Sequence, residues 1–173
     1  MKQQPRRLVA TFGIFALAAA GFAYVAGQSV AAGPQSASLA VSATVSNNCT
    51  ISTTAVSFGS YDPVVTHASA NLDGSGTVTI ACTKGSVTPV DLNVGSNASG
   101  STRRMSAAGE FLTYELYQDA SRSTVWGSGA SAMTPGAAAS KNSRDFTVYG
   151  RVASAQDVPA GSYSDSVTAT VNF

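Results

Sequence analysis

Ala37-Ser38-Leu39-Ala40-Val41-Ser42-Ala43-Thr44-Val45-Ser46 runs directly into Asn47-Asn48-Cys49, and its reading decides the fold. Ala37, Leu39, Val41, Ala43 and Val45 fall on one side of an extended chain, while Ser38, Ser42, Thr44 and Ser46 fall on the other. That period of two is what a half-buried β-strand needs, because successive side chains point to opposite faces. The stretch precedes the first cysteine, and nothing beside it in sequence offers a hairpin partner. An apolar strand at a free end buries one face in its own sheet or in another molecule's. The expectation here is the second, an arm given to a neighbour. The alternative, and the commoner use of such a pattern, is an ordinary strand of the domain's own sheet.

Upstream, residues 1–32 read as a targeting segment. Lys2, Arg6 and Arg7 form a basic start, and residues 8–27 carry no charge and are rich in Ala, Val and Phe. Val30-Ala31-Ala32 supplies the small residues that signal peptidase needs, with cleavage after Ala32 or Ala31. A retained membrane anchor is the alternative, since the apolar run is long. The small-residue site and the lack of positive charge after the run argue against it. Arg6-Arg7 resembles a twin-arginine signal, but the flanking residues match that pattern poorly, so general secretion is expected.

The remaining stretch of about 140 residues is enough for one domain with a real core. Charged residues are only 11% and the net charge is +1, which points to neither nucleic acid nor anionic membrane as a partner. Ser, Thr, Ala, Gly and Val dominate and the apolar residues alternate, so an all-β domain of many short strands is expected. Cys49 and Cys82 are the two cysteines of an exported chain, and a disulfide is their default reading. On the chain-entropy view such a loop contributes about 3.5–4 kcal/mol. Two cysteines and one histidine make no ordinary zinc site, and no metal or other cofactor is expected.

In chain order, residues 50–58 read as a first strand broken near Thr53-Thr54, and Gly59-Ser60-Tyr61-Asp62-Pro63 as a turn. Asp73-Gly74-Ser75-Gly76 reads as a second turn, followed by a strand with Val78, Ile80 and Cys82 inward. Val90, Leu92 and Val94 alternate, and residues 97–102 form a polar loop. Residues 111–118 make a strand with Leu112, Tyr114 and Leu116 on one face, and Val125-Trp126 pairs back after a turn at Asp119-Ala120. Residues 128–143 are a Gly/Ala/Ser loop. Phe146, Val148 and Val152 mark the penultimate strand, and Pro159-Ala160-Gly161 turns into the last. There Val167, Ala169, Val171 and Phe173 alternate as an apolar row. A domain that closes on such a strand leaves one sandwich edge open, the natural complement of the arm.

Several motifs occur in order: Phe58-Gly59-Ser60-Tyr61-Asp62-Pro63, Thr79-Ile80-Ala81-Cys82-Thr83-Lys84-Gly85, Arg104-Met105, Tyr114-Glu115-Leu116-Tyr117, Val125-Trp126-Gly127, Val148-Tyr149-Gly150-Arg151 and Gly161-Ser162-Tyr163-Ser164-Asp165-Ser166-Val167. Across 33–173 the chain resembles the spore coat protein U domain, the subunit domain of archaic, Csu-type chaperone–usher pili. The resemblance implies an incomplete immunoglobulin-like β-sandwich of six strands, with the seventh supplied in trans. It implies three segments: a signal peptide over 1–32, a donor-strand arm over 33–48 and the sandwich over 49–173. It implies as partners a periplasmic chaperone, an outer-membrane usher and neighbouring pilus subunits, in a surface fibre of a Gram-negative-type bacterium that supports adhesion and biofilm formation. Ala37, Leu39, Val41, Ala43 and Val45 become the arm's knobs, and Val167, Ala169, Val171 and Phe173 the strand that faces chaperone or arm. Burying the three large knobs contributes roughly 5–9 kcal/mol, and each backbone hydrogen bond about 1 kcal/mol net, against the entropy of ordering the arm. One departure is that better-known pilins carry a penultimate aromatic, whereas Phe173 is the last residue here.

Other readings are weaker. His67 near Asp62 and several serines invites a Ser/His/Asp comparison, but no Gly-x-Ser-x-Gly elbow is present and a lone loop histidine is usually solvated, so no enzyme is expected. Tyr114, Tyr117, Trp126 and Tyr149 suit a sugar-binding platform, though in a sandwich they more often pack the core or sheet. Asn48-Cys49-Thr50 and Asn97-Ala98-Ser99 fit the glycosylation sequon, which carries little weight in a bacterial host. A self-contained secreted coat or envelope sandwich remains the alternative to the fibre subunit.

Overall fold

The computed structural model describes Gly27 and residues 32–173. The segment read as a signal, 1–32, lies outside these residues apart from Gly27 and Ala32. The chain divides into a unit ending at Ser42 and a second unit, Ala43–Phe173. Residues 32–42 of the first have no strand pairing and every side chain exposed, with Leu39 and Val41 both 87% accessible.

The second unit is all-β. Its strands are β1 (Cys49–Ser57), β2 (Leu72–Cys82), β3 (Val90–Leu92), β4 (Arg103–Ala107), β5 (Glu110–Tyr117), β6 (Arg144–Val152) and β7 (Ala169–Val171). They form two antiparallel sheets, one in the order β1-β2-β6-β5-β4 and one of β3 with β7. Alternation explains which faces meet. Val78, Ile80 and Cys82 of β2, Leu112, Tyr114 and Leu116 of β5, and Val148 and Val152 of β6 all turn inward, onto Val90 and Leu92 of β3. This is the immunoglobulin-like sandwich expected, with one more strand than the six implied. The addition is β4, whose Arg103-Arg104-Met105-Ser106-Ala107 is too short and too polar to signal a strand in the sequence. A two-residue reversal folds it onto β5, with Ala108 and Gly109 at φ 50° and 90°, the left-handed pair of a hairpin turn whose twist suits the strands.

Two groups tie the sheets together. Trp126 is fully buried; its backbone N–H donates to Leu116 of β5 and its indole N–H to Val90 of β3, at 2.9 and 2.8 Å. Arg103 is 3% exposed and donates to the carbonyls of Leu92, Asn93 and Trp126 and to the Glu115 carboxylate. A buried guanidinium is tolerable only when its donors are spent in this way.

Other details differ from the sequence reading. Val94 is 41% exposed, because β3 ends at Leu92. The irregularity in β1 falls between Thr54 and Ser57, downstream of the expected break. Asp73-Gly74-Ser75-Gly76 is not a turn but the first part of β2. Its glycines serve close approach: a Cβ on Gly76 would lie 2.7 Å from the Thr54 carbonyl oxygen, and one on Gly74 2.7 Å from that of Ser57. A Cβ on Gly150 of β6 would lie 2.7 Å from the Phe58 ring. These three bare positions share the inner face of the large sheet, so the bulged end of β1 leans across that face.

Gly76→Ala forces backbone against backbone, so it should destabilise the domain by about 1–3 kcal/mol and lower its melting temperature by several degrees. Gly136→Ala is the control, since nothing lies within 4 Å of the added carbon. Equal melting temperatures for the two variants would show that β1 does not need the bare face.

Candidate functional site

Residues 163–173 are hydrogen-bonded along one side only. Ser164 exchanges both backbone bonds with Ser106 of β4, at 2.9 and 3.2 Å. Further on, the carbonyls of Ser166 and Thr168 accept from Ser96 and Asn93, and the Asn172 N–H donates to Pro89. Thr170 stands opposite Asp91 in the β3–β7 register. Backbone groups of successive residues in a strand point to opposite sides, so those of Val167, Ala169 and Val171 face away from β3. Among the described residues they have no hydrogen-bond partner. The same parity holds in β1. Asn48 accepts from the Thr83 N–H at 2.9 Å, and Thr50 and Ser52 stand opposite Ala81 and Thr79. The backbone groups of Cys49, Ile51 and Thr53 therefore point away from β2.

Between these two edges lies a cleft of about 310 Å³, walled by Thr53, Thr54, Ala55 and Val56 on one side and by Val167 and Ala169 on the other. Leu92, Met105, Tyr114, Leu116 and Val148 line it from the two sheets. A second cleft of about 630 Å³ shares Val56, Phe58, Met105 and Tyr163 with it and reaches Tyr61, Pro63 and Val158. Phe58 meets the edge of Tyr114 at 6.0 Å between ring centroids.

The wall formed by the last segment is pinned by one carboxylate. Asp165 Oδ1 accepts from the backbone N–H groups of Ser96 and Asn97, at 2.9 and 3.0 Å, and Oδ2 from the Tyr114 hydroxyl at 2.7 Å. Burial first, and then this bond to Asp165, raise the Tyr114 pKa, so the hydroxyl stays a donor. Gly95, at φ 88°, allows the approach: a Cβ there would lie 2.0 Å from Asp165 Oδ2.

At the other wall, Cys49 and Cys82 are disulfide-bonded and stand directly opposite in the β1–β2 register. The knobs Ala43 and Val45, just ahead of this bond, are exposed, as are Ala37, Leu39 and Val41 in the preceding unit. Val167, Ala169 and Val171 are half-buried against the core, whereas Phe173 is 62% exposed and does not continue their row. Arg103 and Asp165, which hold the site's frame, were not singled out in the sequence. Asp165 lies within a quoted motif, but no spacing signals its three partners.

Residues 35–170 match the family described as the Spore Coat Protein U domain. The chain belongs to that family. It is 34% identical over 151 residues to Protein U of Myxococcus xanthus, covering 79% of this chain and 84% of that protein. It also resembles a chain in the crystal structure of the CsuC–CsuE chaperone–tip adhesion subunit pre-assembly complex from archaic chaperone–usher Csu pili of Acinetobacter baumannii. That match has a TM-score of 0.53 and 25% identity, and it covers 75% of this chain and 41% of the other. This chain thus spans less than half the length of the structure it resembles.

In this spore coat U domain the aromatic residues divide between two faces. Trp126 and Tyr114 are core, while Tyr117 and Tyr149 stand opposite each other on the outer face of the large sheet, so the four form no single platform. His67 is not solvated but only 7% exposed. Its ring stacks on Tyr61 at 4.9 Å, and its Nδ1 accepts the Asp62 N–H at 2.8 Å, a folding role for the loop beside the second cleft. Among the described residues no group of three or more His, Cys, Asp or Glu side chains is placed to hold a metal.

Two loops of this domain are built on carboxylates. Asp62 accepts from the N–H groups of Val64 and Val65, and these bonds lower its pKa. Asp119 is lowered by the Ser121 hydroxyl first and then by the Ser123 N–H. A lowered carboxylate stabilises above its unfolded value, near 3.9, and the contribution fades as pH falls through the folded value. The Asp119 loop should therefore be unchanged from pH 7 to about 4 and loosen only below. The check is the amide shift of Ser123 on acidification: a midpoint at or above the ordinary aspartate value would refute it.

Proposed function

We propose that the chain is a structural subunit of a surface fibre assembled by the chaperone–usher pathway through donor-strand exchange. The observation that carries this reading is the cleft bounded by two strand edges with unpaired backbone groups on both sides. An extended segment laid between β1 and β7 can hydrogen-bond to both. Its alternate side chains then meet Leu92, Met105, Leu116 and Val148. The arm has the matching pattern, and its Leu39, Val41 and Val45 are 87%, 87% and 82% exposed. In this reading residues 1–32 direct export, 33–48 are the donor arm, and 49–173 the acceptor sandwich. A periplasmic chaperone fills the cleft first, and at an outer-membrane usher the arm of the next subunit replaces it. The fibre stands on the cell surface of a Gram-negative-type bacterium and serves adhesion and biofilm formation. No chemistry is asked of the subunit.

The family's description, with its spore coat, suits a second reading: a self-contained envelope protein whose arm completes its own sheet. The exposure of Ala43 and Val45, just ahead of β1 in the same unit, favours the fibre.

The two readings part at Val41→Asp. A charge carried into an apolar cleft costs several kcal/mol. In the fibre reading polymerisation stops, while the chaperone-bound subunit keeps its melting temperature within about a degree. Deleting residues 37–46 should likewise leave a subunit that accepts an arm and donates none, a chain stopper in mixed expression. A clear fall in the melting temperature of the Val41→Asp subunit would place the arm in its own sandwich and end the fibre reading.

The disulfide makes a separate expectation. Cys82→Ser removes a cross-link worth about 3.5–4 kcal/mol on the chain-entropy view, so subunit yield should drop and fibres shorten while export continues. Fibres of wild-type length from the variant, measured by electron microscopy, would contradict a role for the bond in assembly.

A further inference from the structure

Asn47-Asn48 sits between the alternating arm and β1, and Asn tolerates the left-handed conformation that a reversal of the chain there would need. A hairpin there would lay the arm antiparallel beside β1, on the edge where Cys49, Ile51 and Thr53 present their backbone groups. The structure holds the pair differently. Neither residue has a positive φ. The Thr83 N–H donates to the Asn48 carbonyl at 2.9 Å, and the Asn48 N–H to Thr83 Oγ1 at 3.0 Å. The Thr83 hydroxyl lies 3.4 Å from the Ser46 carbonyl and 3.3 Å from that of Asn48. The Ser86 hydroxyl donates to Asn47 Oδ1 at 3.2 Å. These bonds extend the β1–β2 pairing two or three residues beyond the disulfide.

We propose that Thr83 and Ser86 form a clasp that keeps Asn47-Asn48 extended, prevents the arm from closing on its own cleft, and reserves it for a second copy of this chain. The inference rests on the fibre reading. Three features favour the second copy as occupant. The arm is attached immediately before β1, so its own cleft is reached only through a reversal at 46–48. The clasp occupies those residues. The arm's ten alternating residues are close in number to the eleven of the half-bonded segment, 163–173.

The test uses the full exported chain, refolded at sub-micromolar concentration, with a fluorescent peptide of residues 35–48 as probe. Wild type should bind the peptide and leave its own arm amides open to hydrogen exchange. Thr83→Val with Ser86→Ala keeps side-chain volume and removes both hydroxyls. It should raise the fraction of closed monomer, which refuses peptide and protects its arm independently of concentration, by about tenfold. Adding Asn47→Val and Asn48→Val, whose branched side chains disfavour the left-handed turn, should restore peptide binding in the clasp-free chain. A merely structural role for the two hydroxyls would not be rescued in this way. If the double variant melts several degrees low, Thr83→Val alone carries the comparison. Equal peptide binding by wild type and the clasp-free chain overturns the clasp, as does a closed monomer that the valines do not reopen. Failure of wild type itself to take the peptide overturns the fibre reading and the clasp with it.

Discussion

Residues 163–173 spend the backbone groups of every second residue on β4, on β3 and on the residues flanking β3, and turn those of Val167 and Ala169 to the cleft. The architecture follows from that one-sided bonding. A strand edge left open in a sandwich ordinarily closes by collapse of the facing sheet or by pairing with whatever chain is at hand. Here collapse is resisted from both sides. Arg103 and Trp126 fix the small sheet to β5, and Asp165 fixes the start of the last strand to Tyr114 and to the loop after β3. On the opposite wall the bare face of Gly74, Gly76 and Gly150 lets the end of β1 lean inward, so that Val56 and Phe58 line the opening instead of sealing it.

Much of this was legible in the sequence because period-two alternation reports burial directly. Val78, Ile80, Leu112, Leu116 and Val148 needed no tertiary information to be placed, and the Cys49–Cys82 bond followed from export and arithmetic. What alternation cannot report is a partner distant in sequence. The glycines of Asp73-Gly74-Ser75-Gly76 carry turn chemistry locally, and only the approach of β1 from residues 54–58 makes them strand. Arg103 carries no signal of its own in the sequence; four acceptors from three different segments converge on it only in the fold. His67 reads as a solvated loop residue until Tyr61 stacks on it. For the glycines and Arg103 the deciding contact is distant in sequence; for His67 the partner is only six residues away, and the packing of the loop hides it.

The candidate site was legible in a different way. The apolar rows of residues 37–45 and 167–173 both stand out in the sequence, yet the decisive property of the cleft is carried by backbone groups. Sequence gives their parity only once the partner strand and its register are known. Phe173 shows the limit: it continues the alternation of Val167, Ala169 and Val171 but leaves their surface, lying past the end of β7 at Val171 and past Asn172, which still bonds to Pro89. The row of side chains and the row of unpaired backbone groups are thus two separate signals, and they coincide over residues 167–171.

In the fibre reading, tension on a subunit enters through its arm. Without a cross-link that load would reach β1, which within its own domain is hydrogen-bonded to β2 alone, and could open that ladder one bond at a time at about 1 kcal/mol net each. The disulfide stands at the first residue pair of that ladder. Load arriving at Cys49 therefore passes through a covalent bond into Cys82, the end of β2, which is paired on both sides. The chain between the cysteines, 33 positions apart, is taken off the load path together with β1 beyond Cys49. The cross-link thereby contributes more than its share of equilibrium stability. It moves the mechanical entry point from a strand that its own domain pairs on one side to a strand paired on both, which matters most for a fibre whose durability rests on slow unfolding.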